Sequence, residues 1–176
     1  MTQITGVISL VYGILLNTGI SSRNHSPPKP ASNHTLSLSL QSLRLLNHFA
    51  CVDLHMLQAI LGSEGLSLQL RHIASYLLWY CSHWNNTALL HELILLIGYF
   101  TVLNVDNQNV MQSGRDPQQA TILQQLCSLP FDYFSNPKLT RVLFPTLISC
   151  CFRNDENKAV LQQEMSAVML SSFIEV

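Results

Sequence analysis

Three side chains in the first half of the sequence invite a metal ion. His48, Cys51 and His55 stand at i, i+3 and i+7. On one uninterrupted helix that spacing gives a shared face, and imidazole and thiolate are zinc ligands. The helix would have to run through Asp53, a residue type that starts helices. A break is therefore expected between Cys51 and His55, and no fourth ligand stands at a supporting spacing. A cysteine nucleophile fares no better. Cys127 paired with His72 or His91 lacks both an orienting acid and a Gly-rich elbow to present the thiol. The stretch "QSGRDP" holds one glycine and no phosphate-cradling spacing. The expectation is no catalytic residue, no metal and no cofactor. A cryptic His/Cys metal-binding domain is the alternative, beside a structural bundle with no binding activity of its own.

A second kind of chemistry is recognition. His72, Tyr76, Trp79 and His83 recur every three or four residues, a stripe along one side of a helix, with Arg71 beside it. Lys138 and Arg141, with Arg153 and Lys158 further on, would give a small basic face. Aromatic and mildly basic surfaces suit a partner helix. Packing against a neighbouring helix and plain solvation are the competing readings. Arg71, His72, Tyr76, Trp79, His83, Lys138 and Arg141 are the candidate partner-binding residues.

Composition narrows what elements can carry these side chains. Apolar residues make up 48% of the 176, and charged residues only 11%, about half the usual share. Lys plus Arg is 9 and Asp plus Glu is 10, so no global field draws nucleic acid or an acidic membrane. Direct nucleic-acid binding is not expected. So little charge implies that part of the surface is covered, by a docked partner or by the rest of a longer chain. The five cysteines are odd in number and four sit in apolar runs, which reads as reduced thiols.

The run from Ala88 to Leu103 is nearly free of polar residues. It is too long for an ordinary strand and short of the ~20 residues of a membrane span. His91 and Glu92 lie in its first turns, and Asn85, Asn86 and Thr87 offer caps. It reads as a helix buried on nearly every side. Gly98 in its middle implies close approach of another helix, and Leu93, Ile97 and Phe100 are expected in the core.

Periodicity and punctuation place the rest. Residues 1–18 form an N-terminal helix, and 19–35 a Pro- and Ser-rich flexible linker or loop. Residues 36–176 form a helical domain of about seven helices, near 36–52, 53–61, 66–82, 87–103, 117–129, 137–152 and 155–174. The helix at 137–152 contains Pro145, which predicts a kink. Residues 104–116 read as a polar loop. "MLQAIL" and "ILQQLC", 66 residues apart, and "YCSHWN" and "CCFRN", about 69 apart, suggest two copies of a three-helix unit. The 66–82 and 137–152 helices are then equivalent. The expected fold is all-α, an armadillo- or HEAT-like solenoid.

The strings "GLSLQLRHIASYLLWYC", "HELILLIGYFTVLNVDNQNVMQSGR" and "LQQLCSLPFDYFSNPKLTRVLFPTLI" resemble the C-terminal region of the family of the S-phase cyclin A-associated protein of the endoplasmic reticulum. The resemblance runs through nearly the whole chain and is densest from about 60 to 150. The 19–34 linker departs from it, as does "PQQA" after Asp116. The family's upstream zinc finger and charged helical segments have no counterpart here, which suggests a fragment or short form. The resemblance implies a non-enzymatic adaptor. It implies cyclin A and its kinase as partners, and the cytosolic side of the endoplasmic reticulum, with the nucleus as a second location. It also implies ribosome-associated tubulin mRNA decay through recruitment of the CCR4–NOT deadenylase. It transfers no catalytic or ligand residue onto this sequence.

Overall fold

The computed structural model describes residues 2–17, 28–114 and 119–165. These form ten helices and no strand. They are α1 (Thr2–Asn17), α2 (Asn33–Val52), α3 (Leu54–Leu61), α4 (Leu66–Trp84), α5 (Thr87–Thr101), α6 (Val105–Gln112), α7 (Ile122–Cys127), α8 (Asp132–Ser135), α9 (Pro137–Cys151) and α10 (Asp155–Glu164). Short polar side chains start most of them. Ser32, Asp53, Asn86, Asn104, Thr121, Asn136 and Asn154 each accept a hydrogen bond from a backbone N–H in the first turn they precede. Thr121 and Gln124 close a reciprocal capping box.

The long helices fall where periodicity places them, and the differences are local. Residues 33–35, expected in the linker, belong to α2. Pro28 to Ser32 lie against α4: Trp84 Nε1 donates to Pro28 O at 2.9 Å, and Ala31 N to Tyr80 Oη at 3.3 Å. The segment read as a loop from 104 to 116 contains α6, and the short α8 lies between the helices expected near 117–129 and 137–152. The helix expected from 117 starts instead at Ile122. Residues 18–27, Asp116 and Pro117, and the stretch from 166 onward with Val168 and Met169 lie outside the described residues. Helix α9 runs through Pro145.

Helix α5 is the centre. Leu93, Ile97 and Phe100 are buried, as the apolar run predicts. A β-carbon on Gly98 would lie 2.7 Å from Thr146 Oγ1, so the glycine is what lets α9 come this close. Thr146 Oγ1 donates to Ile94 O at 2.9 Å across the same contact. Among the described residues, no helix is long and apolar enough to cross a membrane.

Helices α2, α5 and α9 lie side by side in that order and run parallel. Arg44 meets Glu92 and Cys51 meets Tyr99; Ile94 meets Thr146 and Thr101 meets Cys150. On the other side of this row, α4 packs on α5, α1 and α7, and α7 packs on α10. The N-terminal helix thus finds its partners in α4 and α2.

Buried amides tie the row together at a fixed offset of 50 residues. Gln58 Nε2 donates to Tyr99 O and Val102 O at the end of α5, at 2.9 and 2.8 Å. Gln108 Nε2 donates to Ser149 O and Phe152 O at the end of α9, at 2.8 and 3.2 Å. Asn107 Nδ2 donates to Phe100 O, seven residues back, at 2.9 Å; Asn157 Nδ2 does the same to Cys150 O at 2.8 Å. Leu103 and Arg153 turn the chain at left-handed φ values of 56° and 57°. The 66- and 69-residue offsets are therefore corrected. The equivalent of α9 is α5, not α4. The two matched strings are short, and helical apolar spacing alone aligns many unrelated windows.

Candidate interaction surface

The seven candidate residues do not form one surface. Tyr76 is 1% exposed and belongs to the core, which removes it from any docking site. It stacks at an angle on Trp79 and Tyr80, with centroids 5.9 and 6.2 Å away. Trp79 is half-buried against the same core. His72 is exposed beside α1, its ring 6.0 Å from that of Tyr12 and its Nδ1 3.4 Å from Tyr12 Oη. Arg71 Nη1 donates to Ser113 O and Oγ, at 3.2 and 2.9 Å, at the end of α6. His83 is exposed, its Nδ1 2.9 Å from Trp79 O. Lys138 and Arg141 are exposed on α9, which packs on α5 rather than chiefly on α4. Of the stripe on α4, Tyr76 is buried, Trp79 half-buried, and His72 and His83 exposed; its spacing is the same for a packing seam as for a groove.

No group of three or more His, Cys, Asp or Glu among the described residues is arranged to hold a metal ion. Asp53 ends α2 and caps α3, which separates His55 from His48 and Cys51 as its residue type foretells. Burial pushes the thiols of Cys81, Cys127 and Cys150 up to about 12 and that of Cys151 to about 11. All four are neutral near pH 7, and a neutral thiol is a poor nucleophile. Cys51 is exposed, its sulfur 3.4 Å from Tyr99 Oη. His91 Nε2 lies 3.0 Å from Tyr133 Oη, an edge-on contact that holds α8 to α5. Burial holds its pKa below 6.5, against the opposing pull of Glu92.

The outer side of α2, α5 and α9 carries a row that periodicity within single helices does not single out. Leu45 is 55% exposed, Leu95 43% and Ile148 54%, with Pro145 exposed beside it. Leu45, Leu95 and Pro145 are 50 residues apart, the offset of the buried amides. Val52 and Phe152 are exposed at the ends of α2 and α9, and Leu103 is exposed just past the end of α5. The signal lay in the sequence as that offset.

The fold thus defines a class: an all-helical protein whose parallel helices are stacked in register by buried amides. No protein-family model matches the chain. The chain is 47% identical over 175 residues, 99% of its length, to the human S phase cyclin A-associated protein in the endoplasmic reticulum. Over this segment it belongs to that protein's family. It spans 12% of the length of that relative.

Proposed function

We propose that the chain is a non-enzymatic, protein-binding adaptor module, an armadillo- or HEAT-like solenoid. The observation that carries this reading is the 50-residue recurrence of buried amides, which sets α2, α5 and α9 side by side in one register. Units that touch only their neighbours build extended surfaces, and such surfaces bind other macromolecules. The relative's name links that protein to cyclin A and to the endoplasmic reticulum. We carry both to this chain as proposals: cyclin A with its kinase as one partner, the endoplasmic reticulum as its site. The CCR4–NOT deadenylase and ribosome-associated factors complete the proposed partner set, implied by the family resemblance. The proposed contacts use Lys138, Arg141 and His83. Arg71, His72 and Trp79 contribute by holding α4 to its neighbours.

The test is capture by the immobilised chain of purified cyclin A–kinase complex, purified CCR4–NOT and purified ribosomes, each offered separately. Retention of at least one at micromolar concentration is expected. Retention of none contradicts the adaptor reading.

A further inference from the structure

We propose that the shared outer face of α2, α5 and α9 docks an acidic amphipathic helix of a partner protein. This deepens the adaptor reading and rests on it. Leu45, Leu95, Pro145 and Ile148 form an apolar row that crosses three parallel helices. Helices packed side by side have axes ~8–10 Å apart. A partner helix rises 1.5 Å per residue, so apolar side chains at i, i+7 and i+14 repeat every ~10.5 Å and meet one lane each.

Charge selects the partner. Helices α2 and α9 contain no Asp or Glu. Helix α5 contains one carboxylate, Glu92, and it is already occupied: Arg44 Nε donates to it at 3.0 Å and Asn47 Nδ2 at 2.9 Å. Lys138 and Arg141 are exposed at the α9 end of the row, and neither has an ion-pair partner among the described residues. The face is therefore apolar and cationic while the chain as a whole carries a net charge of −1. A partner with Asp or Glu beside its apolar stripe complements it; like charges are rejected.

Three other occupants fit less well. A second copy in a two-fold contact brings the same face, which has no carboxylate on α2 or α9 and only the occupied Glu92 on α5, so it offers Lys138 and Arg141 no free acid. An extended peptide brings unpaired backbone N–H and C=O groups, and the apolar row offers them few side-chain partners, whereas a helix satisfies its own. An RNA strand would leave Leu45, Leu95 and Ile148 facing phosphates, and stacking on bases needs aromatic platforms that the row does not have.

The test is a selection from a displayed library of helical peptides, made on the purified 176-residue chain, with binding of the winners measured by fluorescence polarisation. The expected winners carry Leu, Ile or Phe at helical spacing and Asp or Glu between them. Leu95→Gln with Ile148→Gln, and separately Lys138→Glu with Arg141→Glu, should each weaken those winners by about tenfold or more. Both pairs are exposed, and an unchanged melting temperature checks that each variant is folded. Winners that bind both variants as well as the parent place the site elsewhere and overturn the proposal, while leaving the adaptor reading intact. Basic winners, or a single-stranded uridine oligonucleotide that binds through Lys138 and Arg141 while no peptide does, overturn it too. Sedimentation showing a dimer that Leu95→Gln with Ile148→Gln dissolves assigns the face to a second copy instead. A selection that enriches nothing overturns the proposal whatever the capture experiment shows.

Discussion

Two helix junctions, α5–α6 and α9–α10, read "TVLNVDNQ" and "CFRNDENK" over residues 101–108 and 151–158. They agree at two of eight positions and adopt the same conformation. The shared residues are Asn104 with Asn154, which cap the following helix, and Asn107 with Asn157, which reach back to the preceding one. The informative difference is at the last position. Gln108 is wholly buried and donates to Thr101 O, Ser149 O and Phe152 O. Lys158 is exposed and pairs with Asp155 at 2.9 Å. The amide stands where another helix of the row must be held, and the ammonium where no described helix follows. Two capping and bonding asparagines therefore make the junction, and the next residue decides whether it is also a joint between units.

The largest expected effect comes from the packing that both junctions serve. Ile97 on α5 and Leu147 on α9 are equivalent and buried. Ile97→Asp puts an unpaired charge into the core and should remove on the order of 3–5 kcal/mol of stability. A thermal melt within a degree or two of the parent would put α5 at the surface.

Next come the two differing positions. Gln108→Leu leaves buried carbonyls without their donor and should lower stability by about 1–3 kcal/mol in urea unfolding. Lys158→Leu should stay within about 0.5 kcal/mol, as an exposed pair contributes little. Equal losses would erase the distinction between joint and edge.

Gly98→Ala asks how close α5 and α9 must be. Its methyl group meets Thr146, and a loss of about 1–2 kcal/mol is expected from overpacking. Adding Thr146→Ala should recover part of the loss, because the two positions share one contact.

The smallest effect is a pH dependence confined to one unit. Position 91 is His, where its equivalents 41 and 141 are Gln and Arg. Burial holds the folded-state pKa of His91 below its usual 6.5, so the unfolded chain takes up the proton first. Stability should fall as pH drops through 6.5 and below, and rise as pH increases through the same window. His91→Gln should flatten that part of the pH profile of the melting temperature. An unchanged slope would mean that another group is titrating.

Some of this was legible in the sequence for simple physical reasons. Asp53 caps wherever it follows a helix, so the break between Cys51 and His55 was readable from residue type. The length and polarity of 88–103 left only a buried helix, and Gly98 within it required a close neighbour. Helix α6 was not readable. "VDNQNVMQ" has weak helix formers and no apolar stripe, and it is helical because Asn104 caps it and Asn107 and Gln108 bond into the core. The repeat was missed for a related reason. Gln58 and Gln108 bind backbone carbonyls, and a carbonyl leaves no matching side chain in the sequence to align. Tyr76 was misplaced because an aromatic stripe at helical spacing reads alike whether it faces a partner or the core.

Hydrogen exchange on two matched variants tests the 50-residue register most directly. Gln58→Leu should speed exchange at the end of α5 and the start of α6, around residues 99–107. Gln108→Leu should do the same around 149–157, leaving the other segment protected in each case. The same local loosening displaced by 50 residues is the result the stacked-unit account predicts. Acceleration of the same segment in both variants, or an equal rise along the whole chain, would contradict it.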